Sequence, residues 1–519
     1  MKTKKSIIGF NQLPLLLLLL FVLANWIILV DVMELAPPDF YNYHFQYKKL
    51  VTGNFSWHVP PGYPLLIGLF GGFLSLFVSG TDTYILAGRL ISLFFGLGLV
   101  YYSFRILKKF LKEYYFPATA LLITQTFFLI YMAAPLTDII FLCFTVMSFY
   151  YLSEEKFSKS IMVAFLSMLV RFEGLLLVFS TIAGSLKREI LKKRLSFYSV
   201  FSGIMIMILY ISTSKRLINK ILFIIDRESF LFFLINPDKL IKLFYLNIFF
   251  FLPRRIPYSY QLLLFSVSFL IFVYGAYIVY KKGRRFFFSI MIYFISFIII
   301  KGYVAGVGGV FIPGNEGRRL LSAVFLYWLF FTIGLFTAIL KSKVSVSIPG
   351  RILVYSLFIL FFLFTYFNGL SQAKREMDVF PKKGSVMIAR WINSNLKDGD
   401  KIVTYSSGHT IDYYLKKKVK RYVYLIKSQN RRFERFMEKF LKSGCKYIVT
   451  DFHVNLVDKP YHAKIKNMLR RKSRKGNGIF IKKKLRYKKK VVAFVLKLDK
   501  KFLKSYYGQK NILLINSRN

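Results

Sequence analysis

Residues 31–68 read DVMELAPPDFYNYHFQYKKLVTGNFSWHVPPGYPLLIG. An apolar run, LPLLLLLLFVLANWIILV, precedes this stretch, and another follows it. Acids, two histidines, a tryptophan and five prolines (Pro37, Pro38, Pro60, Pro61, Pro64) gather here, in a chain that is otherwise rich in Leu, Ile and Phe. Polar chemistry set between two apolar runs reads as a loop outside a bilayer, and the other runs of the chain bear this out. Of 519 residues 55% are hydrophobic and the mean hydropathy is +0.47. Such an excess is too large for one soluble core, and it lies in runs of roughly 18–25 residues, the length that crosses a bilayer as helix.

Apolar stretches fall at 11–30, 62–79, 83–104, 117–133, 135–152, 160–171, 172–186, 197–213, 259–280, 286–304, 318–340 and 351–369. Short cytoplasmic loops collect Lys and Arg. Six basic clusters mark one side: Lys2/Lys4/Lys5, Arg105/Lys108/Lys109/Lys112, Lys156/Lys159, Lys187/Arg188/Lys192/Lys193/Arg194, Lys281/Lys282/Arg284/Arg285 and Lys341/Lys343/Arg351. All six share a side only if 62–79 does not cross, and its glycines and leading prolines disfavour a straight spanning helix. The parity gives about 11 spans, a cytoplasmic N-terminus, and outer loops at 31–82 and 214–258. Arg254/Arg255 and Lys215/Arg216/Lys220 then fall outside, against the rule, in a long loop that it governs only in part. The expected class is a polytopic α-helical membrane protein, residues 1–370, followed by an extracytoplasmic α/β domain, residues 371–519.

That last part carries 40 Lys+Arg against 10 Asp+Glu, much of the net charge of +52. MIARWINSNL has helical spacing, while KIVTYSS, YVYLIKS, KYIVTDF, GIFIKK and VVAFVLKL read as strands. RRFERFMEKFLKSG reads as a helix ended by Gly444, and Asp398–Gly399 as a turn. Placed outside, the basic run Lys482–Lys490 suits anionic lipid headgroups or an acidic glycan, not nucleic acid. Two cysteines, Cys143 and Cys445, give neither a disulfide framework nor metal spacing. Asp39, His44 and His58 fit no standard metal site, so no cofactor is expected. Asn54-Phe-Ser56 matches a short glycosylation sequon.

Asp39 opens DFYNYHFQYKKL, a segment able to lie as an amphipathic helix on the outer leaflet. A carboxylate at an apolar interface can serve as proton acceptor; the same residue also reads as a helix N-cap. In PPGYP, Tyr63 offers a phenol at headgroup level, while the prolines and glycine make a rigid turn. Asp138, in MAAPLTDIIFLCF, is an acid at membrane depth and so a candidate by default, or a helix-start aspartate after Pro135. Arg171 and Glu173, in LVRFEGLLLV, sit at the expected outer tip of a hairpin, as a site pair or an internal ion pair. Arg318 and Arg319 suit a phosphate clamp or an interface anchor, and Arg254/Arg255 are candidates for the same part.

An acid-x-Tyr segment (Asp39, Tyr41), then HVPPGYPLL from His58, then GRLISLFFGLGLVYY at Gly88–Tyr102 resembles polyprenyl-phosphate-dependent glycosyltransferases of the GT-C fold. That group includes protein O-mannosyltransferases and bacterial aminoarabinose transferases. The likeness covers residues 10–190, and 318–335 more weakly. It implies a catalytic acid in the first outer loop, at Asp39, and a second site acid at Asp138. It also implies a basic residue near the lipid phosphate at Arg171 and a donor-side arginine at Arg318/Arg319. Many relatives have two adjacent acids where this chain has Asp39-Phe40, and many place His or Lys directly before the prolines, where Val59 stands here.

The expected activity is transfer of a sugar from a polyprenyl (dolichyl) phosphate to a hydroxyl of a glycan, lipid or protein acceptor, with inversion and with Asp39 as general base. Tyr41, His58, Tyr63, Arg171, Glu173, Arg318 and Arg319 would bind substrate, with Asp39 and Asp138 catalytic. Two other classes remain open: a lipid-linked substrate transporter, which would carry ionisable groups near the membrane midplane, and a silent scaffold presenting the basic domain. An oligosaccharyltransferase subunit would carry WWDYG; the nearest string, IDYYL at 411–415, lacks its tryptophans.

Overall fold

The structure is a computed structural model. It describes residues 12–33, 35–54, 59–78, 82–111, 113–185, 258–307, 321–342, 348–379, 383–405, 408–416, 419–423, 447–451, 479–487 and 490–498. The expected span at 197–213, the loop 214–258 up to its last residue, and the helix read in RRFERFMEKFLKSG lie outside these residues. The chain divides into two compact units, one of residues 1–36 and 46–379, the other of 37–45 and 380–519.

The first unit is all helix. It runs α1 (Leu13–Val32), the second half of α2 (Pro38–Val51), α3 (Gly62–Ser75), α4 (Thr83–Phe110), α5 (Tyr115–Ile123), α6 (Thr126–Ala133), α7 (Asp138–Ser153), α8 (Phe157–Val170) and α9 (Gly174–Ser185). It continues with α10 (Tyr258–Lys282), α11 (Arg284–Val307), α12 (Leu321–Lys341) and α13 (Ile348–Val379). Apolar composition all round these helices matches a bilayer setting, where intrahelical bonds satisfy the backbone.

Among the described residues, five helices are long and apolar enough to span: α1, α4, most of α10, α12 and Tyr355–Arg375 of α13. The pair α5 and α6, bent by 65° at its break, makes a sixth if counted as one span. The 14 residues of α3 reach roughly 21 Å, short of the ~30 Å hydrocarbon layer. The same arithmetic applies to α7, α8 and α9, which the sequence reading treats as crossings. Among the described residues, length and composition alone support five or six of the about 11 expected spans, and the expected span at 197–213 lies outside them.

Helices α4, α7 and α12 form the interior, with Leu99, Ile139, Leu142, Trp328 and Phe330 buried. Polar links tie helices where lipid supplies no hydrophobic drive between them. Tyr366 of α13 donates to Asn25 Oδ1 of α1 at 2.9 Å. Ser148 of α7 meets Ser160 of α8 and Thr181 of α9, and Ser289 of α11 donates to the Ser180 carbonyl at 2.6 Å.

The second unit is α/β. Helices α14 (Lys383–Asn395) and α15 (Gly408–Tyr414) accompany strands β1 (Lys401–Tyr405), β2 (Lys420–Val423), β3 (Tyr447–Asp451), β4 (Ile479–Tyr487) and β5 (Lys490–Leu498). The sheet order is β2-β1-β3-β5-β4. β1 runs parallel to β2 and β3, while β5 runs antiparallel to β3 and β4. Four of the expected strands, KIVTYSS, KYIVTDF, GIFIKK and VVAFVLKL, are present; β2 shares only Tyr422 and Val423 with the expected YVYLIKS, whose remainder lies outside the described residues. The apolar face of α14 (Ile388, Ala389, Trp391, Ile392) packs with Leu396, Ile402, Ile411, Leu485 and Val495 in one core. The Asp398–Gly399 turn has Gly399 at φ +86°, and Lys397 N donates to Asp400 Oδ2 across it. The basic run Lys482–Lys490 falls on the β4–β5 hairpin.

Candidate active site

The site begins on α4. Arg89 donates to the carbonyl of Met33, and Ser92, one turn along, donates to the carbonyl of Ala134 at 2.8 Å. Met33 caps the end of α1, and the chain leaving it leads to Asp39; Ala134 ends α6 and leads to Asp138. One helix thus holds the chain where α1 and α6 end. Arg89 was quoted in the sequence only as part of GRLISL; a charge at membrane depth is itself the signal that identifies it.

Asp138 starts α7, where a negative charge complements the helix dipole. It is 1% exposed and accepts from Nη1 of Arg171. Arg171 ends α8 in extended backbone, at φ −146° and ψ 142°. Its Nε and Nη2 donate to the two carboxylate oxygens of Glu173 at 3.2 and 3.3 Å, and its guanidinium lies 5.7 Å from the Phe141 ring centroid. This is the forked geometry that distinguishes Arg from Lys. The structure therefore brings together Asp138, Arg171 and Glu173, three candidates far apart in two sequence segments. Both carboxylates engage the guanidinium, so the internal ion pair read in the sequence is present.

The PPGYP turn abuts this cluster. A Cβ on Gly62 would stand 2.7 Å from the carbonyl oxygen of Leu169, two residues before Arg171. Only glycine allows that approach. Tyr63 is fully buried, so its phenol belongs to the packing of α3 and not to an open surface. The next glycines serve aromatic rings: a Cβ on Gly68 would stand 2.0 Å from the Tyr47 ring, and one on Gly71 2.2 Å from the Tyr84 ring.

Asp39 lies in the other unit. Pro38 begins α2, a position where proline costs no hydrogen bond. Asp39 is exposed in the first turn, while Phe40, Tyr41 and His44 are buried. These three project into the C-terminal unit. Tyr413 of α15 packs 5.0 Å from Tyr41, 4.9 Å from His44 and 6.3 Å from Phe40, between ring centroids. The hydroxyls of Tyr41 and Tyr414 are hydrogen-bonded at 3.1 Å. Tyr41 is thus a core residue of this unit. Tyr413 and Tyr414 are the YY of IDYYL, a string in which the sequence carries no sign of this contact with α2.

His58, Arg254, Arg255, Arg318 and Arg319 lie outside the described residues. Among the described residues no three His, Cys, Asp or Glu side chains converge as metal ligands.

No protein-family model matches the sequence, and no curated protein matches it. Solved structures do. The structure of ArnT from Cupriavidus metallidurans bound to undecaprenyl phosphate superposes with a TM-score of 0.52 at 12% identity, covering 92% of this chain and 97% of that one. The same protein in its apo state gives 0.49 at 11% identity, with the same coverage. At that identity the likeness speaks for the fold and not for the activity. The chain described here shares that fold, the GT-C fold.

Proposed function

We propose that this protein is a multi-pass membrane glycosyltransferase that moves a sugar from a polyprenyl-phosphate donor to a hydroxyl acceptor at the outer face. The observation that carries the reading is the Asp138–Arg171–Glu173 cluster, with Asp138 buried and its partners half-buried, built at the ends of helices in a chain of GT-C fold. Ionisable groups held at helix ends suit chemistry at the membrane surface; a conduit would need them along its path. The undecaprenyl phosphate bound by ArnT is the model for the donor's carrier.

In this mechanism Asp39 takes the proton of the acceptor hydroxyl. The oxygen attacks the anomeric carbon, the bond from that carbon to the phosphate oxygen breaks, and polyprenyl phosphate leaves with the electron pair. One displacement inverts the anomeric centre. Asp39 is exposed at the start of α2, the residue that the acceptor would meet. Arg171, with both carboxylates on its guanidinium, orients Asp138, and the charge developing on the phosphate falls to cations such as Arg318 and Arg319. The β4–β5 hairpin supplies positive charge for anionic headgroups or an acidic acceptor.

The test is reconstitution of the purified chain in liposomes with a polyprenyl-phosphate sugar carrying a labelled sugar. The expected result is release of polyprenyl phosphate matched by label in a hydroxyl acceptor. Label crossing the bilayer with the sugar–phosphate bond intact would replace this reading with transport.

A further inference from the structure

We propose that Tyr413 and Tyr414 are positioning residues for Asp39. The inference rests on the reading of Asp39 as the base. Residues 37–45 group with the C-terminal unit, although they lie more than 330 residues away in sequence, while α2 continues through Val51. The first turns of α2 are therefore a structural component of the α/β unit.

The attachment is specific. On α2, Phe40, Tyr41 and His44 occupy i, i+1 and i+4, one face of the helix, and all three are buried. Tyr413 contacts all three rings. Tyr414 adds the hydroxyl bond to Tyr41 and a ring contact at 5.8 Å. Asp39 is on the opposite, exposed side. The aromatic clasp thus fixes the rotation of α2 about its axis, and with it the direction in which the Asp39 carboxylate projects.

The clasp is itself braced. Asn393 of α14 donates Nδ2 to the Tyr414 carbonyl at 2.9 Å and accepts from Lys416 N at 2.9 Å. Ile411, in the same short helix, is buried in the core of the unit. The path from the sheet core to Asp39 runs through α14, Asn393, α15 and the clasp. A carboxylate displaced by about 1 Å can cost roughly 100-fold in rate.

The test uses the full chain in detergent or liposomes. Tyr413→Leu keeps apolar bulk and removes the aromatic contacts; Tyr413→Phe keeps the ring. For Tyr413→Leu the expected result is a fall in kcat for transfer of about ten-fold or more, with the KM for the donor within about two-fold. Tyr413→Phe should retain kcat within about three-fold. Hydrogen exchange gives a reading independent of transfer: amides of residues 38–45 should exchange faster in Tyr413→Leu, with β1 and β3 unchanged. Unchanged exchange at 38–45 overturns the clasp. Faster exchange with undiminished kcat overturns its positioning role. If β1 and β3 also lose protection, Tyr41→Leu repeats the test from the α2 side, with the same two outcomes decisive. Asp39→Asn is run alongside: normal transfer by that variant removes the base reading itself, and the exchange result still reports on the clasp.

Discussion

Arg171 holds the buried carboxylate of Asp138 with one nitrogen while the other two nitrogens close a fork on Glu173. The arginine joins the start of α7 to the break between α8 and α9. Removing it leaves Asp138, 1% exposed, as a buried charge without its main partner. Breaking such a pair from one side costs about 3–5 kcal/mol. Arg171→Ala is therefore expected to lower the thermal midpoint of the purified protein clearly and to abolish transfer. Arg171→Lys keeps the charge and loses the fork, so it should recover stability more than activity. Thermal unfolding and transfer assays on the two variants check this.

Arg89 is expected to act at a distance through Met33. Arg89→Leu removes the donor to the Met33 carbonyl and leaves that carbonyl seeking a partner, at a cost of about 1–3 kcal/mol. The Met33–Asp39 connection loosens as a result. Transfer should fall by about ten-fold or more, since small misplacement of a reacting group is costly. A rate near that of the parent chain would show that Met33 is held by other contacts.

Gly62→Ala tests the contact between the PPGYP turn and the hairpin tip. Its Cβ would meet a backbone oxygen at 2.7 Å, which no side-chain rotation relieves. The α8 end must move, and Arg171 with it. A loss of transfer larger than that of Gly72→Ala is expected, because a Cβ on Gly72 meets nothing within 4 Å. Paired transfer assays on the two variants make the comparison.

The bond between Tyr366 and Asn25 gives a contrasting case. Interhelical bonds in membranes average about 0.6 kcal/mol. A double-mutant cycle of Tyr366→Phe and Asn25→Leu should return a coupling of that order and leave transfer unchanged.

These contrasts follow how much the sequence discloses. The apolar segments were legible because apolar runs and basic ends mark them; α4 begins where the 83–104 run begins and continues past it to Phe110, with Lys108 and Lys109 in its last turn. Asp138, Arg171 and Glu173 were legible as candidates because charge at membrane depth is costly, but their union depends on how α7 meets the α8–α9 break, which no spacing records. Tyr41 shows the limit most clearly. Its place in an acid-x-Tyr segment suggests a substrate contact, yet its partner is Tyr414, more than 370 residues away. Long-range aromatic packing leaves no periodic trace. The glycines of 62–79 were read as breakers of a spanning helix; in the structure they also make room for Leu169, Tyr47 and Tyr84.

The central claim is that Asp39 takes the proton of the acceptor. The most direct measurement is the transfer rate of Asp39→Asn in reconstituted liposomes, at protein levels and thermal midpoint matched to the parent. Asparagine preserves size and polarity at the exposed start of α2 and removes only the base. The account predicts a loss of transfer of about 100-fold or more, with donor binding retained. Transfer within a few-fold of the parent would contradict it.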